Sequence, residues 1–326
     1  MRSNAYRIAA ALAAAIFLFG AAAEEPAKPG LPALQHPFDE LKPAALLKLG
    51  TTADWVEATP SILWVGAGGA DAVHAIDPAT RQEIANIPLP GEACAGLAAR
   101  AGVLWVPICG ANDSRSLAKI DLEGRTLTRI LPFGPDAEGG IAASGDTVWI
   151  VAGDQGHLLR IDARTGKVRQ RIALPPRSFN PLLAEGGLWI TNPGGNRLIR
   201  IDPTTGKMVG SAPTGPEPRF LTAGAGSIWT LNQGDGSVTR IDARSGKPLV
   251  TIALGLPGHG GDIAFGDGKI WVTMADMPLT AIDPATNQPI RQWVGKGGDS
   301  LKVVAGTIWL TDYHAGTIAA IADPLK

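Results

Sequence analysis

Cysteine is nearly absent: the 326 residues hold two, with no Cys-x-x-Cys and no Cys/His cluster, so neither a zinc-finger spacing nor a c-type haem attachment motif is present. Charge excess is missing too. The 29 Lys and Arg against 30 Asp and Glu leave no basic surplus to attract nucleic acid or an anionic membrane surface. Helical periodicity is scarce, and beyond the N-terminus no apolar run is long enough to span a bilayer. A nucleophile elbow, a phosphate loop and a nucleotide fingerprint are all lacking. What is abundant is glycine (41) and proline (26), punctuating short apolar runs. That combination predicts many short strands joined by turns.

The first 23 residues carry two arginines, an apolar run from Ile8 to about Phe19, and Ala21-Ala22-Ala23. This is the layout of a secretory signal peptide with cleavage near Ala23; the run falls short of the roughly 18 to 20 apolar residues of an anchor. The expectation is an exported chain, periplasmic or secreted, with no membrane span after cleavage. Residues 24–43 are proline-rich without alternation and read as a leader that wraps the outside or stays mobile, and His36 within it is given no role. Residues 44–326 read as one domain.

In an oxidising compartment Cys94 and Cys109 are expected to pair. They flank two short strands joined by a turn at Arg100 to Gly102, which places them opposite each other in the hairpin. Redox-active or metal-binding thiols are the alternative.

After residue 50 an internal repeat takes over. An aliphatic-Trp-aliphatic core recurs at Trp64, Trp105, Trp149, Trp189, Trp229, Trp271 and Trp309, at intervals of 41, 44, 40, 40, 42 and 38. An Ile-Asp pair follows at Asp77, Asp121, Asp162, Asp202, Asp242 and Asp283. A period near 40 residues carrying strands belongs to propeller blades. The fifth unit writes out as strand A ("FLTAGAG"), B ("SIWTLN"), C ("SVTRID") and D ("PLVTIAL"). The aspartates open the C-to-D turns, where their side chains accept backbone N–H bonds, so they read as turn-makers and not as a catalytic series.

The seventh unit supplies only A, B and C, while "ALLKLG" at residues 45–50 is a stray D strand with no A, B or C before it. The prediction is an all-β, seven-bladed propeller of four-stranded antiparallel blades, with the N-terminal strand completing the last blade. Ala322 stands where a seventh turn aspartate would be expected, in keeping with a unit that has no C-to-D turn of its own.

The aliphatic-Trp-Val-Thr core, the glycine-containing loop, "RIDPTTGK" and "IALP" resemble the virginiamycin B lyase (streptogramin lyase) family and the wider exported propellers with YVTN-type repeats. The resemblance spans residues 45–322 and implies Mg²⁺ at one end of the ring, with a histidine and glutamates opening a cyclic peptide lactone by elimination. The counterpart of that histidine is His259 in "LPGHGGDIAFG". The position three residues after each blade tryptophan holds Ala67, Ile108, Ala152, Asn192, Asn232, Met274 and Asp312, so glutamate is missing and Asp312 alone keeps a carboxylate.

Residues at the start of A and the end of B converge at one mouth of the channel. The loops before A bring Glu92, Cys94, Glu138, Asn180, Arg219, His259, Asp262, Asp299 and Ser300. The ends of B bring Asn192, Asn232, Met274, Asp312, Tyr313 and His314. His259 and Asp312 are the candidate catalytic and metal-binding pair, for Mg or Ca if any ion is held. Asn192, Arg219, Asn232, Asp262, Asp299, Tyr313 and His314 are the candidate ligand contacts. The bland reading is that they are solvated or cap loop backbone. Arg219 suits a carboxylate or phosphate clamp, or equally a pair with Glu217. His74 and His157, on or beside C strands, read as surface or inter-blade residues. Three functions follow: a monomeric exported propeller binding a small molecule or a periplasmic partner protein, a metal-dependent lyase or lactonase, and an accessory subunit of a periplasmic redox enzyme.

Overall fold

The computed structural model describes residues 29–136, 138–152, 156–256, 258–274 and 276–326. Residues 1–23, expected to be a signal peptide, lie outside the described residues. The rest is a ring of seven antiparallel sheets. Blade one runs Thr52–Ala58 (A), Leu63–Gly68 (B), Ala72–Asp77 (C) and Gln82–Pro88 (D), and the other blades repeat that order outward from the channel.

The ring closes as the repeat arithmetic demands. Ala45–Lys48 pairs antiparallel with Thr317–Ala322 and becomes strand D of blade seven, with Ala45 opposite Ala320 and Lys48 opposite Thr317. The leader docks on the outside: Gln35–Pro37 adds a parallel fifth strand to blade six, beside Gln288–Val294. The Leu31 N–H bonds the Gln292 side chain at 2.6 Å, and Phe38 and Leu41 pack on the core between blades six and seven.

Each blade tryptophan fills the wedge between sheets. All seven are buried, and each cluster joins neighbours: Trp229 meets Val272 and Met274, and Trp309 meets Val65 and Ile76 across the closure. A wedge of this size is costly to empty; Trp→Ala in a core costs about 3–5 kcal/mol.

The Ile-Asp aspartates are turn-makers. Asp77, Asp162 and Asp202 each accept two backbone N–H bonds from the residues two and three ahead. Asp121, Asp242 and Asp283 accept one each, from Gly124, Ser245 and Ala285. Backbone N–H groups hold the Asp77, Asp162, Asp202 and Asp283 carboxyls below the usual range; at Asp242 the Ser245 hydroxyl leads.

In four blades the residue before Ile-Asp does a second job. Lys119, Arg160, Arg200 and Arg240 sit across from the tryptophans of blades two to five. Each reaches a turn carbonyl of the next blade: Ala163, Thr204, Arg244 and Pro284 respectively. Lys119, Arg200 and Arg240 also lie over their indole faces. Blades six, seven and one carry Ala281, Ala320 and Ala75 at that position, so this latch is missing from their side of the ring.

Candidate functional site

The disulfide between Cys94 and Cys109 forms, with Cα atoms 5.7 Å apart, but its register differs from a simple hairpin. Ala98 to Arg100 pairs symmetrically with Val103 to Trp105, whereas Glu92 faces Cys109 and Ala93 faces Ile108. The chain bulges between the two pieces of strand A, and there the Glu138 N–H bonds the Cys94 carbonyl and the Gly96 N–H bonds that of Gly139. The bridge is therefore diagonal, and it brings Glu92 to the mouth.

Two adjoining cavities, of about 590 and 410 Å³, occupy the mouth over blades six, seven, one and two, and share Asp299, Tyr313 and His314. The larger is lined by His259, Asp276, Lys296 and Asp312 as well. Glycine builds its wall: Gly261 lies at φ +80°, and a Cβ there would meet the Thr273 carbonyl. The Gln233 side chain bonds the Gly260 carbonyl at 2.9 Å, and Asp299 Oδ1 accepts the Gly261 N–H at 3.1 Å, fixing the His259 loop to blades five and seven.

Asp312 ends strand B of blade seven (Thr307–Asp312), and its Oδ1 accepts the Ala315 N–H at 2.9 Å, so half of that carboxylate is occupied by the turn. Tyr313 and His314 stand edge to face, 5.2 Å between centroids. Asp262 does not join this group. It faces the channel interior, accepting the Ile263 and Leu301 N–H groups, and shares a smaller cavity of about 260 Å³ with Lys302.

Asn192 and Asn232 are buried and bonded within their own blades. Asn192 donates to the Pro176 carbonyl and Ser178, Asn232 to Ser237 and Thr239. Arg219 pairs with Glu138 at 3.1 Å and lies 3.4 Å over the Phe179 ring; Glu217 instead lies beside Arg177, 3.7 Å away. His74 is buried with Nδ1 2.8 Å from Glu83 on the neighbouring strand, a partner that strand pairing and not loop proximity supplies.

The electrostatics are set by carboxylates at the inner ends of strands. Burial, then Asp262 and Glu138, pushes Asp299 up to about 6 against the opposing Gly261 N–H and His314. Burial and the charge of Asp299 hold Asp54 well above the usual aspartate range, although Ser300 and the Trp55 N–H both bond it. Burial likewise raises Glu57 and Asp262, with Lys302 opposing in each case.

Asp54 and Trp55, like Asp276 and Lys296 of the larger cavity, are mouth residues that sequence reasoning missed. Trp55 sits at φ +53°, at a bulge in strand A, and its ring packs 6.2 Å from Phe220 across the channel. It lines both the smaller mouth cavity and the channel cavity below, forming the floor between them. The available signal was its place outside the 40-residue tryptophan series. Among the described residues no group of three or more His, Cys, Asp or Glu side chains is arranged to hold a metal ion.

The family model for outer membrane protein assembly factor BamB matches residues 72–234, half of the chain, from strand C of blade one to the end of strand B of blade five. The chain belongs to that family. No curated protein matches it. Among solved structures, the crystal structure of BamB from Moraxella catarrhalis is 15% identical and aligns with a TM-score of 0.60, over 86% of this chain and 99% of the other. At that identity the likeness is one of fold. The BamB-like repeat accounts for the blades, whereas the two cavities lie mainly over blades six, seven, one and two, largely outside the matched span.

Proposed function

We propose that this BamB-like propeller is an exported, non-catalytic binding module whose mouth over blades six, seven, one and two docks a segment of a partner protein. Membership of a family described by an assembly factor supports a protein partner. The observation that carries the reading is the asymmetry of the ring's ends. At one end the aspartates are consumed by turns; at the other, loops of four blades surround adjoining cavities. No helix among the described residues is long and apolar enough to cross a membrane, and export rests on the N-terminal sequence.

A photo-cross-linking residue placed at Tyr313 in intact cells should give a discrete protein adduct, and one at Thr165 on the opposite end none. Adducts from Thr165 alone would reverse the assignment of faces.

A virginiamycin B lyase-like or lactonase activity is the second reading, favoured by His259 and Asp312 lining one cavity. The residues do not fit a Mg²⁺ or Ca²⁺ centre: Asp312 has one oxygen bound to its own turn, and three-ligand clusters are lacking among the described residues. No catalytic step is therefore derived. Docking onto a periplasmic redox enzyme would use the same mouth and give that enzyme as the Tyr313 adduct.

A further inference from the structure

We infer that the smaller mouth cavity recognises an organic ammonium group, carried either by a lysine side chain of the partner segment or by a free amine. The inference rests on the mouth being the binding face. Its walls are Asp54, Glu92, Glu138 and Asp299, its floor is Trp55 and its rim is Tyr313. Neither lysine nor arginine lines it. Arg219 pairs with Glu138, and Lys296 and His259 line the adjoining cavity; of the residues lining this one, the His314 imidazole alone can carry a positive charge, which opposes the upward shift of Asp299, while Asp54 and Glu92 share the space with neither lysine nor arginine.

Carboxylates alone would make a solvated acidic rim. The second observation is the aromatic lining: Trp55 and Tyr313 both border a volume of about 410 Å³. A ring face attracts a cation through its quadrupole, worth about 2 kcal/mol when the cation is desolvated. Asp54, Glu92, Glu138 and Asp299 line the same cavity as Tyr313, whose hydroxyl is raised first by burial and then by these four charges. The Trp55 backbone is held at this position: its main-chain N–H donates to Asp54 Oδ1 at 2.6 Å and to Ser300 Oγ at 3.2 Å, and the ring packs near Phe220. An inorganic divalent ion is a poorer match than an alkylammonium, because no three of these carboxylates are arranged to coordinate one centre. An alkylammonium needs only diffuse negative charge and apolar faces.

The test is calorimetric titration of the full-length protein with two charged probes and their neutral counterparts. The first pair is choline and 3,3-dimethyl-1-butanol; the second is acetyl-Gly-Lys-Gly-amide and the same peptide with norleucine. At least one charged probe should bind tenfold or more tightly than its counterpart, and the arm that does so identifies the source. Glu92→Gln and Tyr313→Ala should each remove most of that preference, and Asp121→Asn at the opposite end should leave it intact. Equal binding of charged and neutral probes overturns the inference, as does a preference that survives both mouth variants. Displacement by Mg²⁺ at an ionic strength where Na⁺ is inert would also overturn it, in favour of an inorganic site. Ammonium binding without a Tyr313 adduct would sink the partner reading alone; an adduct without ammonium binding would sink this one alone.

Discussion

The Ser300 hydroxyl of blade seven donates to Asp54 Oδ1 of blade one at 2.6 Å, and so closes the ring on its inner face. The same Ser300 oxygen accepts the Trp55 N–H, so one hydroxyl joins the last blade, the first blade and the channel floor. Ser300→Ala removes a bond to a half-buried carboxyl and should cost about 1–3 kcal/mol in urea unfolding. It should also raise the Asp54 proton affinity further, since the Ser300 bond opposes that shift. A variant as stable as the parent would show that the contact is incidental.

Stability should be greatest on the acid side of neutrality. Asp299 takes up its proton near pH 6 when folded and near pH 4 when unfolded. Between those values the folded state binds more protons, so this contribution is present below pH 4 and lost as pH rises through about 6. Asp54, Asp262 and Glu57 are raised as well and act with the same sign. The turn aspartates are lowered, so their contribution is lost as pH falls below about 4. The urea midpoint should therefore peak near pH 4–5 and decline toward pH 7, and Asp299→Asn should flatten the decline. A midpoint that climbs steadily from pH 5 to 7 would contradict the shifts.

The blade count, the turn role of the aspartates and the N-terminal closing strand were legible because each leaves a periodic mark, or one conspicuous break in a period. Trp64 to Trp309 announce the wedges, and Ala45–Lys48 reads as a D strand with no A, B or C before it. Local patterning could not report what depends on non-local geometry. The basic residue of the Lys/Arg-Ile-Asp triplets looks like a solvated strand position until the next blade's carbonyl appears beside it, as Pro284 does beside Arg240. The leader reads as wrapping the outside or staying mobile, and not as a strand, since three residues in parallel pairing leave no alternation to read. At the site, His259, Asp299, Asp312, Tyr313 and His314 do line one cavity, while Asn192, Asn232 and Asp262 turn to blade interiors or the channel. Trp55 stayed hidden because its role depends on one left-handed backbone angle.

Arg240 is the strongest of the inter-blade latches. Its guanidinium donates to the Pro284 carbonyl at 2.6 Å, Asn287 Oδ1 at 2.7 Å and Ser227 at 2.8 Å, with Trp229 beneath it at 4.7 Å. Arg240→Ala should cost about 2–3 kcal/mol. Arg240→Lys should recover only part of this, because an ammonium cannot reproduce the planar fork. Hydrogen exchange would place the loosened amides in the turn of blade six near Asn287; loosening confined to blade five would show that the arginine serves only its own tryptophan.

Reducing the Cys94–Cys109 bridge should have a smaller effect than its place at the mouth suggests. The two residues are 15 apart in sequence, and a loop of that size is worth at most about 3 kcal/mol of unfolded-state entropy. Cys94→Ser should lower stability by that amount or less and leave the fold intact. The local consequence is at Glu92, whose strand segment is anchored by the bridge, so ligand or partner binding at the mouth should weaken more than global stability does.

Removing the closing strand should be far more damaging than removing the leader. Deletion of residues 44–50 strips the four pairs from Ala45–Ala320 to Lys48–Thr317 and leaves Thr317–Ala322 with an unpaired edge. It also removes Leu49, which is buried, and Leu47, which packs on the same cluster as Trp309 and Val65. Each fully buried leucine contributes about 1.5–3 kcal/mol, so the loss should be about 3 kcal/mol or more and should separate blade seven from the main unfolding transition. Deletion of residues 29–37 removes a three-residue parallel strand, the short Pro32–Leu34 helix and the bonds from Gly30 to Gly255 and from Leu31 to Gln292, and should lower the midpoint modestly with cooperativity kept. Equal losses from the two deletions would mean that the belt around blade six, and not the seam between Ala45–Lys48 and Thr317–Ala322, is what holds the ring shut.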